Sequence, residues 1–536
     1  MNSEKHSKAI DLSHHFSEVA KTRKPSPLKE LSKYFGRKDL ISLGGGLPHP
    51  AYFPLSGLSV DALVPDSFAL APAEHSSSLS WLWKLLGANT SPKEKTASVY
   101  IPKYSTDTND INLAAALQYG AAVGQPQLQN FLRQFVSQVY QPAFEDFTTL
   151  IHTGNTDGWC RAFGSFCNPG EGVLMEEWNY PSAMAAMLPS NIRPVTVAMD
   201  GQGMRSDALE KVLSEWDEEV RQMPRPHVLY IVPVGQNPCG TTMKSARKEQ
   251  IYDVCVKYDV IIVEDDPYFF MQLGDYEMKS VRSPFTSHSS GRDQAARFVS
   301  SLEPSFLRYD YQGRVVRLDT FSKTIAPGSR LGFFTCNPIF AERFERQGET
   351  STQSPCGFGQ SIVTKILTNW KYDGYIRWLQ GLRTEYAQRR DFFIDCLAEE
   401  FDLQAAPAPA GIWEGCLTYQ AFSNRRISNT TEKSSPLFSF VPPNAGMFVW
   451  LKLNLERHPS FTSEAEGTLE FKLWTLLAED GVIFAPGWFF PTDDVATSDV
   501  GAGHFRISYS NAEYANLKKA VTVFGRVIRE FFNEQN

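Results

Sequence analysis

The sequence predicts an α/β fold: a large domain with a mostly parallel central sheet flanked by helices, joined to a smaller α+β domain. Two observations predict it. Through the middle of the chain, short apolar runs without polar alternation recur, each separated from the next by a segment with helical spacing. Strands buried on both faces read this way. After about residue 441 the rhythm changes, with strand-like and helical segments in a less regular order. The 536 residues suffice for roughly two to three domains.

The elements follow in order. "TTLIHT" (148–153) reads as a strand, "GNTDG" as its loop and "WCRAFGSFC" as a helix that "NPGEG" stops. "VLMEE" (173–177) begins the next run. "SDALEKVLSEWDEEV" (206–220) has apolar residues at helical spacing behind Ser206 in the N-cap position. "HVLYIVP" (227–233), "VIIVEDD" (260–266) and "RVVRL" (314–318) read as strands, and "SARKEQIYDVCVKY" (245–258) as the helix between the first two. Further on, "NAGMFVWLKLN" and "HFRISYS" are strand-like, while "EAEGTLEFKLWTLLAEDG" and 513–532 are helical. Residues 72–110, 275–312 and 405–440 are rich in Ser, Pro, Ala or charge and read as surface insertions or loops. The division expected is an N-terminal arm with a small-domain contribution (1–95), a large domain (96–370) and a C-terminal small domain (371–536).

Composition narrows the function. Hydrophobic content of 42% and charged content of 21% are those of a globular chain. The net charge of −8 disfavours non-specific nucleic-acid binding. Eight scattered cysteines without CxxC or Cys/His ligand spacing read as reduced thiols, with no metal expected. No apolar run approaches membrane-spanning length, the N-terminus lacks an apolar leader core, and "FFNEQN" carries no retention signal. A cytoplasmic enzyme without membrane or nucleic-acid partners is the expectation.

In doubly wound sheets, ligands bind outside the carboxyl ends of the strands. That rule lines up "GNTDG", "QNPCG", "EDDPY" and "TFSK" along one rim. Each signal has an ordinary reading. Asp265 or Asp266 serves equally as a turn cap before Pro267, Asn237 as an Asn-Pro turn, and Lys323 as a solvated loop lysine. Jointly they comprise a helix N-terminus suited to phosphate, an aspartate, an asparagine, a tyrosine, and a lysine flanked by Thr320 and Ser322 with Arg330 seven residues on. Pyridoxal 5′-phosphate requires this set. Its phosphate takes hydroxyls and an arginine fork, its ring nitrogen an aspartate, its phenolic oxygen Tyr and Asn donors, and its aldehyde a lysine amine.

The segments "QNPCG", "EDDPY", "TFSKTIAPGSRLG" and "FRISYS" resemble the aspartate-aminotransferase-like superfamily of fold type I. More narrowly, "ISLGGGLPHPAYFP" (41–54), "LQYGAAVGQPQLQNFL" (117–132) and "GETSTQSPCGFGQ" (348–360) are similar to fungal aromatic amino acid aminotransferases, relatives of the kynurenine/2-aminoadipate aminotransferases. The resemblance implies Lys323 as the lysine that bonds the cofactor aldehyde. It implies Asp265 on the ring nitrogen, Tyr268 and Asn237 on the ring oxygen, and Tyr180 stacked on the ring. Asn155 and Thr156 fall in the phosphate loop, where the family often has Ser and Gln, and Thr320, Ser322 and Arg330 complete that site. Tyr119 is implied to reach the phosphate of a neighbouring subunit, which makes a homodimer the expectation. Arg506 is implied to bind the substrate α-carboxylate, with Arg23 on an N-terminal segment that closes over substrate, and with Gly46, Asn237 and Phe448 beside the substrate.

The activity implied is transfer of the amino group of Phe, Tyr or Trp to 2-oxoglutarate. Kynurenine or 2-aminoadipate transamination, or a pyridoxal-phosphate β-lyase reaction, are the alternatives. A regulator with an aminotransferase-like body would need a DNA-binding module before residue 41, where the body motifs begin.

Overall fold

The computed structural model describes residues 8–26, 46–70, 95–107, 109–282, 292–423, 435–462, 466–492 and 501–532. Parts of all three expected insertions, 72–94, 283–291 and 424–434, lie outside the described residues, as does 41–45 of the "ISLGGGLPHPAYFP" motif.

A hairpin comes first, β1 (Gly57–Leu63) antiparallel to β2 (Thr96–Pro102). The main sheet is built from β3 (Thr148–His152), β4 (Gly172–Glu176), β5 (Arg193–Val197), β8 (Val228–Ile231), β9 (Ile261–Asp265), β10 (Val315–Thr320) and β11 (Gly332–Cys336). A two-residue ribbon, β6 (Met199–Asp200) with β7 (Gly203–Met204), interrupts them. Strand order is β3-β11-β10-β9-β8-β4-β5. Only β11 runs against its neighbours, so the carboxyl ends of the other six lie on one edge.

Alternation along the strands sends side chains to two separate cores. Leu174, Leu229 and Ile262 enter one, while Val173, Tyr230, Ile261 and Leu318 enter the other with Trp159 and Ala162 of the helix Asn155–Phe166. That second face puts the start of this helix over the ends of β9 and β10. On the opposite face the guanidinium of Arg317 is wholly buried against Glu264 and Asp266 (both 3.1 Å) and Asp319 (3.0 Å), and lies 4.0 Å from the Tyr140 ring centre. Ion pairs and a ring satisfy charges that could not otherwise be buried there.

A helical run, Gly357–Glu400, broken at Lys371, leads into a second, antiparallel sheet. Its strands are β12 (Phe401–Pro407), β13 (Leu417–Ser423), β14 (Phe438–Phe440), β15 (Phe448–Asn454), β16 (Ala485–Pro486) and β17 (Ala502–Ser508), ordered β12-β13-β14-β15-β17-β16. The helices Glu466–Glu479 and Tyr514–Phe531 close its core.

Three expectations need correction. Residues 405–440 are not all loop: β13 and β14 are interior strands of the second sheet. Residues 95–102 and 292–300, read as insertion, hold β2 and a helix. The helix expected over 206–220 is two, Ser206–Ser214 and Glu218–Arg221. Asp217 restarts the second by accepting the N–H groups of Glu219 and Val220 (both 3.0 Å), and Ser206 is a first-turn residue without a capping bond.

Candidate active site

The carboxyl edge of the main sheet gathers the polar residues. Asp265 ends β9 with its carboxylate buried. Tyr230 donates its hydroxyl to Oδ2 (2.6 Å), and Asn155 donates Nδ2 to Oδ1 (2.6 Å) and to the Leu318 carbonyl (3.1 Å). No cation is ion-paired with this carboxylate among the described residues. Burial pushes its pKa up, against the pull of the Tyr230 and Asn155 hydrogen bonds. Glu264 and Asp266, its neighbours along the chain, face Arg317 on the other side of the sheet. Burial pushes Asp266 up to about 7 despite Arg317.

Lys323 follows β10, half-buried, and its amine makes no hydrogen bond among the described residues. Burial lowers its pKa, and the guanidiniums of Arg506 and Arg330 lower it further. An amine held below the ordinary lysine range is a nucleophile and a base.

On one side of Lys323 is an anion cradle. Thr320 Oγ1 and Ser322 Oγ bond each other (2.9 Å), and Arg330 Nη1 reaches Ser322 Oγ (3.4 Å). Arg330 Nη2 donates to the Thr153 carbonyl (3.0 Å), tying this loop to the one after β3. Gly154 is at φ +102, and a Cβ there would lie 2.3 Å from Arg330 Nη2, so only glycine admits both the turn and the arginine. Asn155 and Thr156 open the helix Asn155–Phe166, whose first N–H groups lack helical partners and carry the positive end of the dipole.

On the other side is Arg506, on β17 opposite Trp450 of β15. Its Nη1 donates to Asn237 Oδ1 (2.7 Å), while its Nε is buried without a partner. The guanidinium lies over the rings of Phe448 (4.3 Å) and Phe490 (4.9 Å). Phe448 in turn meets Tyr268 edge to face at 5.8 Å. Burial raises the Tyr268 phenol, with Asp265 adding to it and Arg506 opposing it. Burial lowers Arg506, while the Tyr268 and Tyr180 phenols act the other way. Tyr180 is half-buried at the start of the helix Pro181–Met187.

The structure therefore brings together Lys323, Asp265, Tyr268, Asn155, Asn237, Tyr180, Thr320, Ser322, Arg330, Arg506 and Phe448. It does not bring three others to the cluster within one chain. Tyr119 is 60% exposed. Arg23 donates to Thr350 Oγ1 (3.2 Å), and Gly46 is exposed with nothing within 4 Å of a Cβ built on it. Sequence reading missed Tyr230 and Phe490 and gave the Asn155 side chain no task. Tyr230 had one signal, a hydroxyl inside an otherwise aliphatic strand; Phe490 had none.

The arrangement can hold an anion at the Arg330 cradle, a cation against Asp265 and a carboxylate at Arg506, with a reactive amine among them. Comparison with known proteins agrees in kind. The profile of the family described as aminotransferase class I and II matches residues 86–414. An aromatic amino acid aminotransferase of Schizosaccharomyces pombe is 33% identical over 97% of this chain and 98% of its own. An L-tyrosine:2-oxoglutarate aminotransferase of Tapinella panuoides is 32% identical over 98% of this chain and 97% of its own. The crystal structure of aminotransferase Aro8 from Candida albicans superimposes with a TM-score of 0.81 at 30% identity, covering 98% of this chain and 99% of that one.

Proposed function

Since the chain belongs to the class I and II aminotransferases, we propose that it moves the amino group of Phe, Tyr or Trp to 2-oxoglutarate with pyridoxal 5′-phosphate as cofactor. Three features support the fit of that cofactor. Asp265 is a buried carboxylate with two donors and, among the described residues, no ion-paired cation, which suits a protonated ring nitrogen. Gly154, Thr320, Ser322 and Arg330 gather hydroxyls and a guanidinium at a helix N-terminus, which suits a phosphate. Lys323 has a lowered pKa between the two. When bound, the cofactor supplies an aldehyde for amine exchange and an electron sink for the substrate α-carbon.

The residues then divide the work. Lys323 Nζ would take the substrate α-proton as general base and deliver it away from the α-carbon, so that the substrate leaves as its 2-oxo acid. Asp265 holds the proton on the ring nitrogen, with Tyr230 and Asn155 holding Asp265. Arg506 offers its unpartnered Nε edge to the α-carboxylate, while Asn237 fixes the guanidinium through Nη1. Tyr268 and Asn237 serve the ring oxygen and Tyr180 the ring face. Phe448 and Phe490, already against Arg506, present the apolar surface an aromatic side chain needs. Arg23 and Gly46 belong to the substrate mouth in this reading, and Arg23 approaches only when a second carboxylate is bound.

The enzyme works as a cytoplasmic homodimer in this proposal, with Tyr119, exposed in the single chain, completing the phosphate site of a second copy. The arm is 1–95, the cofactor domain 96–370 and the small domain 371–536.

The observation that carries the proposal is that one edge of the sheet holds both an amine at Lys323 without a hydrogen bond and a buried Asp265 carboxylate without an ion-paired cation among the described residues. The test is a donor panel with 2-oxoglutarate as acceptor, run on wild type and Lys323→Ala. Aromatic donors should lead, and the variant should lose turnover by at least about 10⁴-fold while still taking up cofactor. Preference for a small aliphatic donor would refute the aromatic assignment, and near-normal turnover in the variant would refute the site.

A further inference from the structure

The opposite edge of the main sheet carries a second cluster that the active site does not use. His14 and His15 lie in a turn of the N-terminal segment, and Asp259 lies two residues before β9 at its amino end. His14 Nε2 is 2.7 Å from Asp259 Oδ2, and His15 Nε2 is 3.1 Å from Asp259 Oδ1. The other ring nitrogen of His15, Nδ1, is 2.9 Å from Nδ1 of His227, and His227 Nε2 is 3.4 Å from Glu171 Oε2. Arg314 Nη1 completes the group at 2.7 Å from Asp259 Oδ1.

A hydrogen count shows that something is missing. Glu171, His227, His15 and Asp259 form a chain with three contacts, each needing one hydrogen. The two ends are carboxylates and supply none. Two neutral imidazoles supply one each. If His227 donates to Glu171, then His15 must donate Nδ1–H to His227, and its Nε2 lone pair faces the Asp259 oxygen. Two acceptors at 3.1 Å repel, and His15 is only 4% exposed, so water cannot separate them. The reverse tautomers move the mismatch to the His227–Glu171 contact at 3.4 Å; one additional positive charge between His15 Nε2 and the carboxylate removes it in either case.

We propose that His14, His15 and Asp259 form a site for a divalent transition cation of the zinc type. The cation supplies the missing charge between His15 Nε2 and the carboxylate. Unlike a proton held between those two atoms, it also uses His14, whose Nε2 converges on the same carboxylate. The candidate ligand atoms lie within 4.8 Å of one another, a spread that small side-chain shifts bring to bonds of about 2.0–2.2 Å. The surroundings match a metal site. His15 passes its second N–H through His227 to Glu171, the carboxylate relay that orients metal-ligating histidines. Exposed His14 and half-exposed Asp259 leave an entry path and room for a water as fourth ligand. Arg314 balances part of the carboxylate charge at Oδ1, the oxygen that also faces His15. Bound there, the cation would pin the segment from residue 8 to 22 onto the amino edge of the sheet. Six residue steps along the chain separate Asp259 from Asp265 at the end of β9, about 20 Å or less at the rise of a strand.

The experiment uses full-length holoenzyme stripped with chelator and titrated with Co²⁺, read by visible absorption, and with Zn²⁺, read by calorimetry. One site per chain is expected. His14→Ala and Asp259→Asn should each weaken it by at least tenfold, and Glu171→Gln by roughly tenfold, the usual effect of an outer partner. Turnover should be unchanged in all three, which certifies folding. Failure of the wild type to bind one cation more tightly than about 100 μM would overturn the proposal and leave a proton as the missing charge. Equal binding by a His14→Ala/Asp259→Asn double variant would overturn it too, since the cation would then sit elsewhere.

Discussion

Replacing Tyr230 by Phe removes one oxygen atom and tests how Asp265 is held. The ring is wholly buried, 4.6 Å from the Trp159 ring centre, and Phe fills the same space. What disappears is the 2.6 Å hydrogen bond to Oδ2, one of two donors on the carboxylate. A hydrogen bond to a charged acceptor contributes about 1.5–3 kcal/mol, or roughly ten- to a hundredfold in a proton equilibrium. The proton shared between Asp265 and the cofactor nitrogen must stay on the nitrogen for the ring to draw electrons. With one donor gone the carboxylate becomes more basic and competes for that proton by this factor. The expected result is a fall in kcat of about tenfold or more, with KM for the amino donor little changed because Arg506 is untouched. The fall should persist across the pH range, because the proton moves within the pair and does not leave it. The assay is steady-state kinetics with the ¹⁵N shift of a ring-labelled cofactor, which should move toward neutral pyridine. An unaltered kcat and an unaltered shift, in a variant that binds cofactor normally, would refute the reasoning.

Asp265→Asn should remove most of the rate, whereas Asp266→Asn should leave most of it, because Asp266 faces Arg317 beneath the sheet. Folded Asp266 keeps its proton up to about 7 while an unfolded Asp loses it near 3.9. The folded state therefore binds the extra proton, and this group costs stability as pH rises from about 4 to 7. Asp266→Asn should flatten that fall in denaturant midpoints, and a steeper fall would contradict the assignment. Gly154→Ala should weaken cofactor binding by at least tenfold, since its Cβ meets Arg330 Nη2 at 2.3 Å and strains a backbone at φ +102 by about 1–3 kcal/mol; equilibrium dialysis measures it, and unchanged affinity would show that Arg330 is free to move. Arg23→Ala should weaken 2-oxoglutarate more than phenylalanine in kcat/KM, and equal losses would reject a switching role for Arg23.

What the sequence revealed about this site, and what it did not, divides along a physical line. Asp265, Asn237, Lys323 and Gly154 were legible because each lies at the end of a strand or in the loop that follows one, and a parallel sheet places all its strand ends on one edge whatever the strand order. Period-two alternation along β9 likewise separates Asp265 from Glu264 and Asp266 without any structure. The partners of these residues depend on register between elements, which no spacing along the chain encodes. Tyr230 reaches Asp265 because β8 pairs with β9 so that Tyr230 lies opposite Val263, two residues before the carboxylate on the same face. Asn155 reaches it because Trp159 and Ala162 seat their helix on that face, turning an expected phosphate-loop residue toward the aspartate. β13 and β14 were missed for a local reason. The polar stretch between them dominates any averaging window, yet Leu437, Phe438 and Phe440 are fully buried in the second core. The His14–His15–Asp259 cluster is the extreme case. Its members are 244 positions apart, and only the docking of the N-terminal segment along the amino edge of the sheet makes neighbours of them. The same parallel strands thus define both sites, one at each edge. The difference in legibility follows: the carboxyl edge is composed of strand ends and the loops that follow them, whereas the amino edge is completed by two histidines that another segment brings.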